Sequence, residues 1–498
     1  MTFLQNLRSM FGRPKAAQVR AMGFEGAQMA RRLSSWRAGA DGINAALLQG
    51  GDVLRARSRD LVRNNPYASN AASSFAAHSI GAGIKPSSLV EDAELKDRIQ
   101  RLWLAWTDEA DADGLTDFYG LQSMAARAVF EAGECFFRLR SRRPQDGLSV
   151  PLQLQLLPSE QLPLSHCETL PNGNEVVFGV EFDSLGRRVA YHFLKRAPGD
   201  VRQLDGSARV RVPANQVLHI FSPVAEGQIR GVPWLAPAMA KLWLLDQYDD
   251  AELDRKKVAA MFAAFITRPA PEDVMGEEGL PRDDDGAALL GLQPGTMQLL
   301  LPGEDVKFSD PADVGGSYEA FQYRTLLACC SAMGVPYTNV TGDLRQANYS
   351  SLREGKLEFR RRMEQFQHNV MIFQLCRPVW RRWMEDAVLS GALGIADFAT
   401  IPGRYLPAKW IPPKWDWVDP LKDRKAEIEA INAGLKSRSD VIESEGFDAE
   451  EVDRRIAADR AREESLGLKF DAEATPLSAD SVEENADPNT SEQTISAA

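Results

Sequence analysis

Residues 317–391 leave this chain few ways to fold. Their pattern predicts two helices joined by a short loop, with no catalytic motif inside. The first spans Ser317–Met333, with Gly334 as a C-cap and Pro336 just beyond it. The loop is Val335–Ser350. The second helix is predicted to open with a capping box, Ser351-x-x-Glu354. Apolar residues then recur at Leu352, Phe359, Met363, Phe366, Val370 and Phe373, and the register continues through Arg377, Trp380, Met384 and Ala387. Such a heptad seam needs a packing partner along its length. Forty or so residues at ~1.5 Å each make a rod of roughly 60 Å. Pro378 is expected to kink or interrupt it. A rod of that kind suits a scaffold or an assembly better than a compact enzyme core.

The net charge of −12 over 498 residues hides an uneven distribution. Residues 1–40 carry Arg8, Arg13, Lys15, Arg20, Arg31, Arg32 and Arg37 against one acid, whereas 471–498 hold seven acids and no base. A uniformly basic nucleic-acid binder is excluded, but passage of DNA through a non-adhesive channel is not. No signal peptide is read, because no long apolar core follows the basic N-terminus. The longest apolar run, Val258–Ile266, is far too short to span a membrane. Cys135, Cys167, Cys329, Cys330 and Cys376 are odd in number and show no metal spacing, so they read as reduced thiols of a cytosol-made protein.

Along the chain, residues 1–50 read as a basic arm. Residues 52–80 read as helix, restarted at Pro66, and further helices are predicted over 92–108 and 117–132. Asp108–Asp113 is not a calcium loop, since Tyr119 stands where the EF-hand glutamate would be. Residues 133–222 are strand-rich, with strands expected at Cys135–Arg140, 150–156, Val176–Phe182, Arg188–Leu194 and Val217–Phe221. The fold class is therefore α+β with a mostly antiparallel sheet. A helix of about 30 residues is expected to end before Pro269. Its charged centre, Asp246–Lys257, is either a solvated face or the wall of a wet lumen. Between 269 and 310 an acidic loop precedes a hairpin of Thr296–Leu301 with Glu304–Phe308. Residues 391–418 form a Pro- and Trp-rich connector, 421–466 two helices, the second opening on Asp448-x-x-Glu451, and the tail from Asp471 is expected to be disordered.

A search for chemistry finds no phosphate loop, nucleophile elbow, H-E-x-x-H or C-x-x-C. His78, His166, His192, His219 and His368 lie far apart in sequence, and each is expected to play an ordinary structural part. His166 and Cys167 would point to opposite faces of a strand, which argues against a catalytic dyad. Asp283, Asp284 and Asp285 supply too few converging ligands for a metal. No catalytic residue, metal or cofactor is expected; any ATP-driven motor is another chain.

Several segments, in order, resemble the lambda-type phage portal proteins. They are residues 59–71 (RDLVRNNPYASNA), Leu218–Pro223 with Gly227–Trp234 (GQIRGVPW), Ala332–Val340 with Asn348–Glu354 (NYSSLRE), Trp410–Pro420 and Lys422–Ile442. The resemblance covers roughly 30–470. It implies a portal fold with wing, stem, clip and crown regions, and long helices around a central channel in a ring of about twelve subunits. The implied parts are the basic arm (1–50), the wing (51–235), a first stem helix (236–268), the clip (269–312) and a second stem helix (313–334). A tunnel loop (335–350), a long wing helix (351–392), a connector with helical crown (393–470) and the acidic tail (471–498) complete the chain.

The same resemblance implies a virion protein at one capsid vertex, assembled in the host cytoplasm, through which double-stranded DNA is packaged and ejected without reading of its sequence. Implied partners are further copies of the chain, the terminase large subunit, the major capsid and scaffold proteins, and head-completion or neck proteins; no membrane is involved. Arg345, Gln346, Asn348 and Tyr349 of the tunnel loop are the expected DNA contacts, with Arg255, Lys256 and Lys257 second. Glu272, Asp273, Glu277, Glu278, Asp283, Asp284 and Asp285 are the expected terminase or neck surface. Two other readings are a domesticated portal-like scaffold and a metal-dependent nucleic-acid-processing enzyme using the Asp283 cluster.

Overall fold

The computed structural model describes residues 41–199, 208–260, 264–267, 305–308, 317–345, 349–415 and 420–468. Most of the basic arm, the acidic segment holding Glu272–Asp285, and the C-terminal tail lie outside the described residues.

Helices α1 (Ile43–Asn64) and α2 (Pro66–Ile80) meet where the sequence places a break. The Asn65 side-chain oxygen accepts from the N–H groups of Tyr67 and Ala68 at 3.1 and 3.0 Å, and Pro66 occupies the first turn, where no donor is needed. Ala68, Ala71 and Ala72 are fully buried, so α2 packs closely on its neighbours. Strand β1 (Lys85–Ser88), α3 (Ala93–Thr107) and α4 (Phe118–Ala132) follow. Between α3 and α4 the Asp111 carboxylate accepts from the N–H groups of Asp113, Leu115 and Thr116, so the acidic run folds as a turn around its own carboxylate.

Two antiparallel sheets come next. Strands β2 (Glu134–Ser141) and β3 (Leu152–Pro158) pair, while β4 (Glu168–Thr169), β5 (Glu175–Val177), β6 (Val180–Phe182), β7 (Arg188–Leu194) and β8 (Arg209–Pro213) form a five-stranded sheet in sequence order. Strand β9 (Val217–Phe221) joins the first sheet, whose order is β3-β2-β9. Central β2 is buried on both faces. Cys135, Phe137 and Leu139 enter the main core with the helices, whereas Phe136 enters a second core with Leu157, Val180, Tyr191, Phe193, Val212 and Val217 between the sheets. The run 176–182, expected as one strand, is a hairpin: Phe178 and Gly179 take φ of +55° and +78° between paired Val177 and Val180. Two left-handed residues make a tight turn that apolar alternation does not reveal.

Helix α5 (Met239–Ala260) is shorter than expected. The chain turns extended at β10 (Ala264–Thr267), which pairs with β11 (Asp305–Phe308). The expected partner of this strand, 296–301, lies outside the described residues. Aromatic and β-branched residues at 265–267 favour a strand once a partner is present. Helix α6 (Ser317–Met333) has the expected bounds, and Gly334 at φ +68° closes it. The following loop contains a short helix, α7 (Tyr337–Thr341).

Helix α8 (Tyr349–Phe366) begins two residues before the expected cap, so Ser351 lies within it. It continues through a π-helical segment, 367–376, into α9 (Arg377–Leu389). Pro378 sits in the first turn of α9, just after the wider turns, where Arg377 N–H reaches back five residues to the Ile372 carbonyl. Phe359, Met363, Phe366, Val370, Trp380, Met384 and Ala387 are buried as expected, but Phe373 is 63% exposed and Arg377 is exposed; at the wider turns Leu375, Cys376 and Val379 carry the burial instead. The Gln374 amide bonds both backbone groups of Phe221 at 3.0 Å and so covers the edge of β9.

The connector holds β12 (Ala408–Ile411), antiparallel to β1. Residues 421–466 fold as three helices, not two: α10 (Pro420–Asn432), α11 (Arg438–Ser444) and α12 (Ala449–Leu466). The reciprocal capping box is at Ser437 and Asp440. Asp448 caps α12, whereas Glu451 pairs with Arg455 instead of completing its box.

Trp103, Trp106, Trp380 and Trp383 form an aromatic cluster that joins α3 to α9, with Trp103 ring centroids 4.9–5.1 Å from the other three. Trp103→Ala is expected to cost about 3–5 kcal/mol. A denaturant midpoint shift by tryptophan-independent circular dichroism checks this.

Candidate functional site

The loop after α6 is held by contacts that begin at β2. At their centre Glu134, the first residue of β2, is fully buried. Arg230 Nε lies 2.9 and 3.0 Å from its two oxygens, and Arg230 Nη2 donates at 2.5 Å. Gly231 N–H donates at 2.7 Å and His219 Nε2 lies 2.9 Å away. Arg230 also donates to the carbonyls of Phe178 and Ser159, and Arg55 of α1 reaches Ser159 Oγ at 2.6 Å. Burial alone would raise the Glu134 pKa; Arg230, followed by His219, outweighs it and holds the group well below the carboxylate range. Burial pushes His219 down to about 4, against the pull of Glu134. At neutral pH the site therefore holds an ionised carboxylate, two guanidinium groups and a neutral imidazole donating from Nε2.

Backbone approach explains the glycines of this segment. A Cβ on Gly231 would stand 2.2 Å from the Gly133 carbonyl oxygen, and one on Gly133 would strike the backbone of Val232. The close crossing delivers Trp234 to the end of α6, where its Nε1–H donates to the Met333 carbonyl at 2.6 Å. On the other flank, Asn70 Nδ2 of α2 donates to the carbonyls of Asn339 and Val340 at 2.9 and 2.8 Å. These are terminal carbonyls of α7 that no intrahelical donor serves. The stretches 59–71 and 227–234 thus converge on one loop, each supplying a side chain to an exposed helix end.

Arg345 stands beyond α7, 73% exposed, and lies 3.0 and 2.8 Å from the oxygens of Asp343 and 3.1 Å from Glu319. Arg345 holds Asp343 at about 2, and its own pKa is raised in turn by Asp343. Its charge is matched locally by two acids. Gln346 and Asn348 lie outside the described residues, and Tyr349 opens α8. Arg255 is paired with Glu252 at 2.7 Å, Lys257 with Asp254 at 3.0 Å, and Lys256 lies 5.3 Å over the Tyr318 ring. The second-choice cations therefore sit in an internally balanced row. Helices α5 and α6 are joined by Asp249, which accepts from Tyr318 Oη at 2.9 Å and Gln322 at 3.1 Å. The clip residues, Glu272 to Asp285, lie outside the described residues. Cys329 and Cys330 are buried in the main core, and burial pushes the Cys330 thiol up to about 12.

Sequence reasoning missed Glu134, His219, Arg55 and the roles of Asn70, Arg230 and Trp234. A lone acid opening the apolar run Glu134–Phe137 was the available signal for a buried ion pair. Of the five histidines, taken as unrelated, His219 lies in this network, and His166 and His192 form a pair whose rings are 5.3 Å apart.

The profile of the family described as phage portal protein, lambda family, matches residues 29–367. The chain belongs to that family. A probable portal protein of Halomonas phage phiHAP-1 is 28% identical over 89% of this chain and 87% of its own length. Portal protein B of Escherichia phage lambda is 22% identical over 88% of this chain and 89% of that protein. A chain from the neck of a native gene transfer agent particle, computed with C12 symmetry, is similar at 16% identity and a TM-score of 0.45, covering 84% of this chain and 99% of its own. The chain is therefore an α+β portal subunit of a homo-oligomeric virion assembly, and DNA packaging is the general function of portals. Among the described residues no helix is long and apolar enough to cross a membrane.

Two outcomes are expected for the portal's buried network. Glu134→Gln leaves Arg230 buried opposite a neutral amide and should cost roughly 3–5 kcal/mol, read as a lowered urea midpoint. The unfolded chain protonates His219 near its ordinary 6.5 and the folded chain only near 4, so the unfolded state binds more protons in that window. Stability should fall by roughly 3 kcal/mol as pH drops from about 6.5 to about 4, and His219→Gln should flatten the decline. The Glu134 contribution is lost at lower pH, as the medium falls through its depressed pKa.

Proposed function

We propose that about twelve copies of the chain close into a ring at one capsid vertex, and that double-stranded DNA enters and leaves through its central hole. The observation that carries this reading is the convergence of two family-marking stretches, 59–71 and 227–234, on the loop at 335–345. In this reading 335–350 is the tunnel loop. Residues 51–235 are the wing, 236–268 and 313–334 carry the stem, 269–312 is the clip, 351–392 is the long wing helix and 393–470 include the crown.

The charge pattern supports a conduit. Along 246–257, Asp246, Asp249, Asp250, Glu252 and Asp254 outnumber Arg255, Lys256 and Lys257. A wall of that composition holds few counterion-releasing contacts, so a duplex slides along it. Arg345 can exchange its carboxylate partners for a phosphate at little cost, because exposed pairs of this type are weak. Gln346, Asn348 and Tyr349 would add contacts that touch the backbone and read no sequence. Trp243, Leu244 and Leu253 of α5 are more than half exposed and would be covered by a neighbouring copy. The chain works here as conduit and platform, not as an enzyme. It assembles in the host cytoplasm with scaffold and major capsid proteins, and the acids from Glu272 to Asp285 face first the terminase large subunit and then the neck proteins.

Native mass and electron-microscopic top views test the ring: a closed assembly with a central hole is expected, and a stable monomer in the presence of scaffold would overturn it. The triple change Arg345→Ala, Asn348→Ala, Tyr349→Ala should leave assembly intact and reduce packaged DNA; unchanged DNA content would remove the tunnel-loop assignment. Deleting residues 272–285 should spare the wing fold and weaken terminase binding, measured by co-sedimentation of the purified proteins.

A further inference from the structure

His166, just before β4, and His192 of β7 form a pair of histidines at the five-stranded sheet. A ring nitrogen of His166, a ring nitrogen of His192 and an oxygen of Glu168 all fall within 4.8 Å of one another. His166 is 5% exposed and His192 9% exposed, while Glu168 is open to solvent. The cluster is fixed through the backbone of Gly179. Gly179 N–H donates to the His166 carbonyl and the His192 N–H donates to the Gly179 carbonyl, both at 2.8 Å. Gly179 has φ +78°, and a Cβ there would stand 2.7 Å from a Leu162 methyl, so the clip depends on glycine.

Two features point to a ligand. The buried Nε2 of His166 has no hydrogen-bond partner; Glu168 Oε1, at 3.4 Å, touches it without accepting a bond. His192 is already oriented. Its Nε2 lies 2.9 Å from Glu181, a buried carboxylate that Arg211 grips at 2.7 and 3.0 Å. The carboxylate accepts from Nε2–H, so the site requires Nδ1 of His192 as its ligand atom. Carboxylate–imidazole pairing of this kind accompanies metal-ligating histidines and raises their basicity. Cys167 stays out, with its sulfur turned to the Leu164 carbonyl and the Phe178 N–H.

We propose that His166, His192 and Glu168 bind a divalent transition-metal ion, with zinc as the natural occupant. Two imidazoles and one carboxylate disfavour calcium and magnesium, which take oxygen ligands, and suit zinc. Ligand bonds of about 2.0–2.2 Å in a tetrahedron bring ligand atoms roughly 3.3–3.6 Å apart, so the cluster needs only side-chain closure and a water as fourth ligand. Bound metal ties the 162–169 segment at one edge of the sheet to β7 near the other, a structural clamp on the outer part of the wing.

Cobalt(II) is the probe, added to the full-length, tag-free chain. One equivalent should bind, with visible absorption bands of a four-coordinate N/O site, and zinc should displace it. His166→Gln and the exposed-site change Glu168→Gln should each weaken cobalt binding at least tenfold while far-ultraviolet circular dichroism stays as in the parent chain. Binding that is absent, or that is undiminished in Glu168→Gln, overturns the proposal. The outcome is independent of the portal reading.

Discussion

The Arg230–Glu134 pair is the constraint on which the rest of the molecule depends. Both side chains are withdrawn from water, so each is tolerable only while the other is present. The pair stabilises less by its own attraction than by what it forbids. Glu134, at the start of β2, accepts from Gly231 N–H and fixes the backbone crossing there, while the hydrogen bonds left to Arg230 fix the turn at Phe178 and the bend at Ser159. Arg55 and His219 bring α1 and β9 to the same point. A helical layer and two sheets, which apolar packing alone would let slide, are thereby held in one arrangement.

From that fixed point the chain runs outward through Trp234 to the end of α6, and Asn70 meets it from the other side. A loop anchored in the main core by Val335 and Val340, with an exposed tip at Leu344 and Arg345, thus gains a defined base. Position comes from the scaffold, and the tip is left to polar side chains whose partners can exchange. Along α5 the bases Arg255 and Lys257 pair with acids three positions away, within a stretch where acids outnumber bases.

Much of this was legible in the sequence because it is local. The bounds of α6, the break at Asn65-Pro66 and the strand at Val217–Phe221 each rest on a propensity, a cap or an alternation spanning a few residues. What stayed hidden is set at long range. Glu134 and Arg230 are 96 positions apart, and nothing short-range marks them as partners. The hairpin at Phe178-Gly179 uses a left-handed Phe, a choice forced by contacts of the finished fold. Helix α5 stops at Ala260 because the next residues find a strand partner at Asp305–Phe308. At the loop, Arg345 could be named from sequence, but its supports could not.

The π-helical turns at 367–376 let one seam run past a proline. From Phe359 to Ala387 the register lapses only at Phe373 and Arg377, which are exposed, and is met again at Trp380, Met384 and Ala387. For that stretch alone the wider turns move burial to Leu375, Cys376 and Val379. Both halves of the rod thus stay against one core despite a local change of pitch.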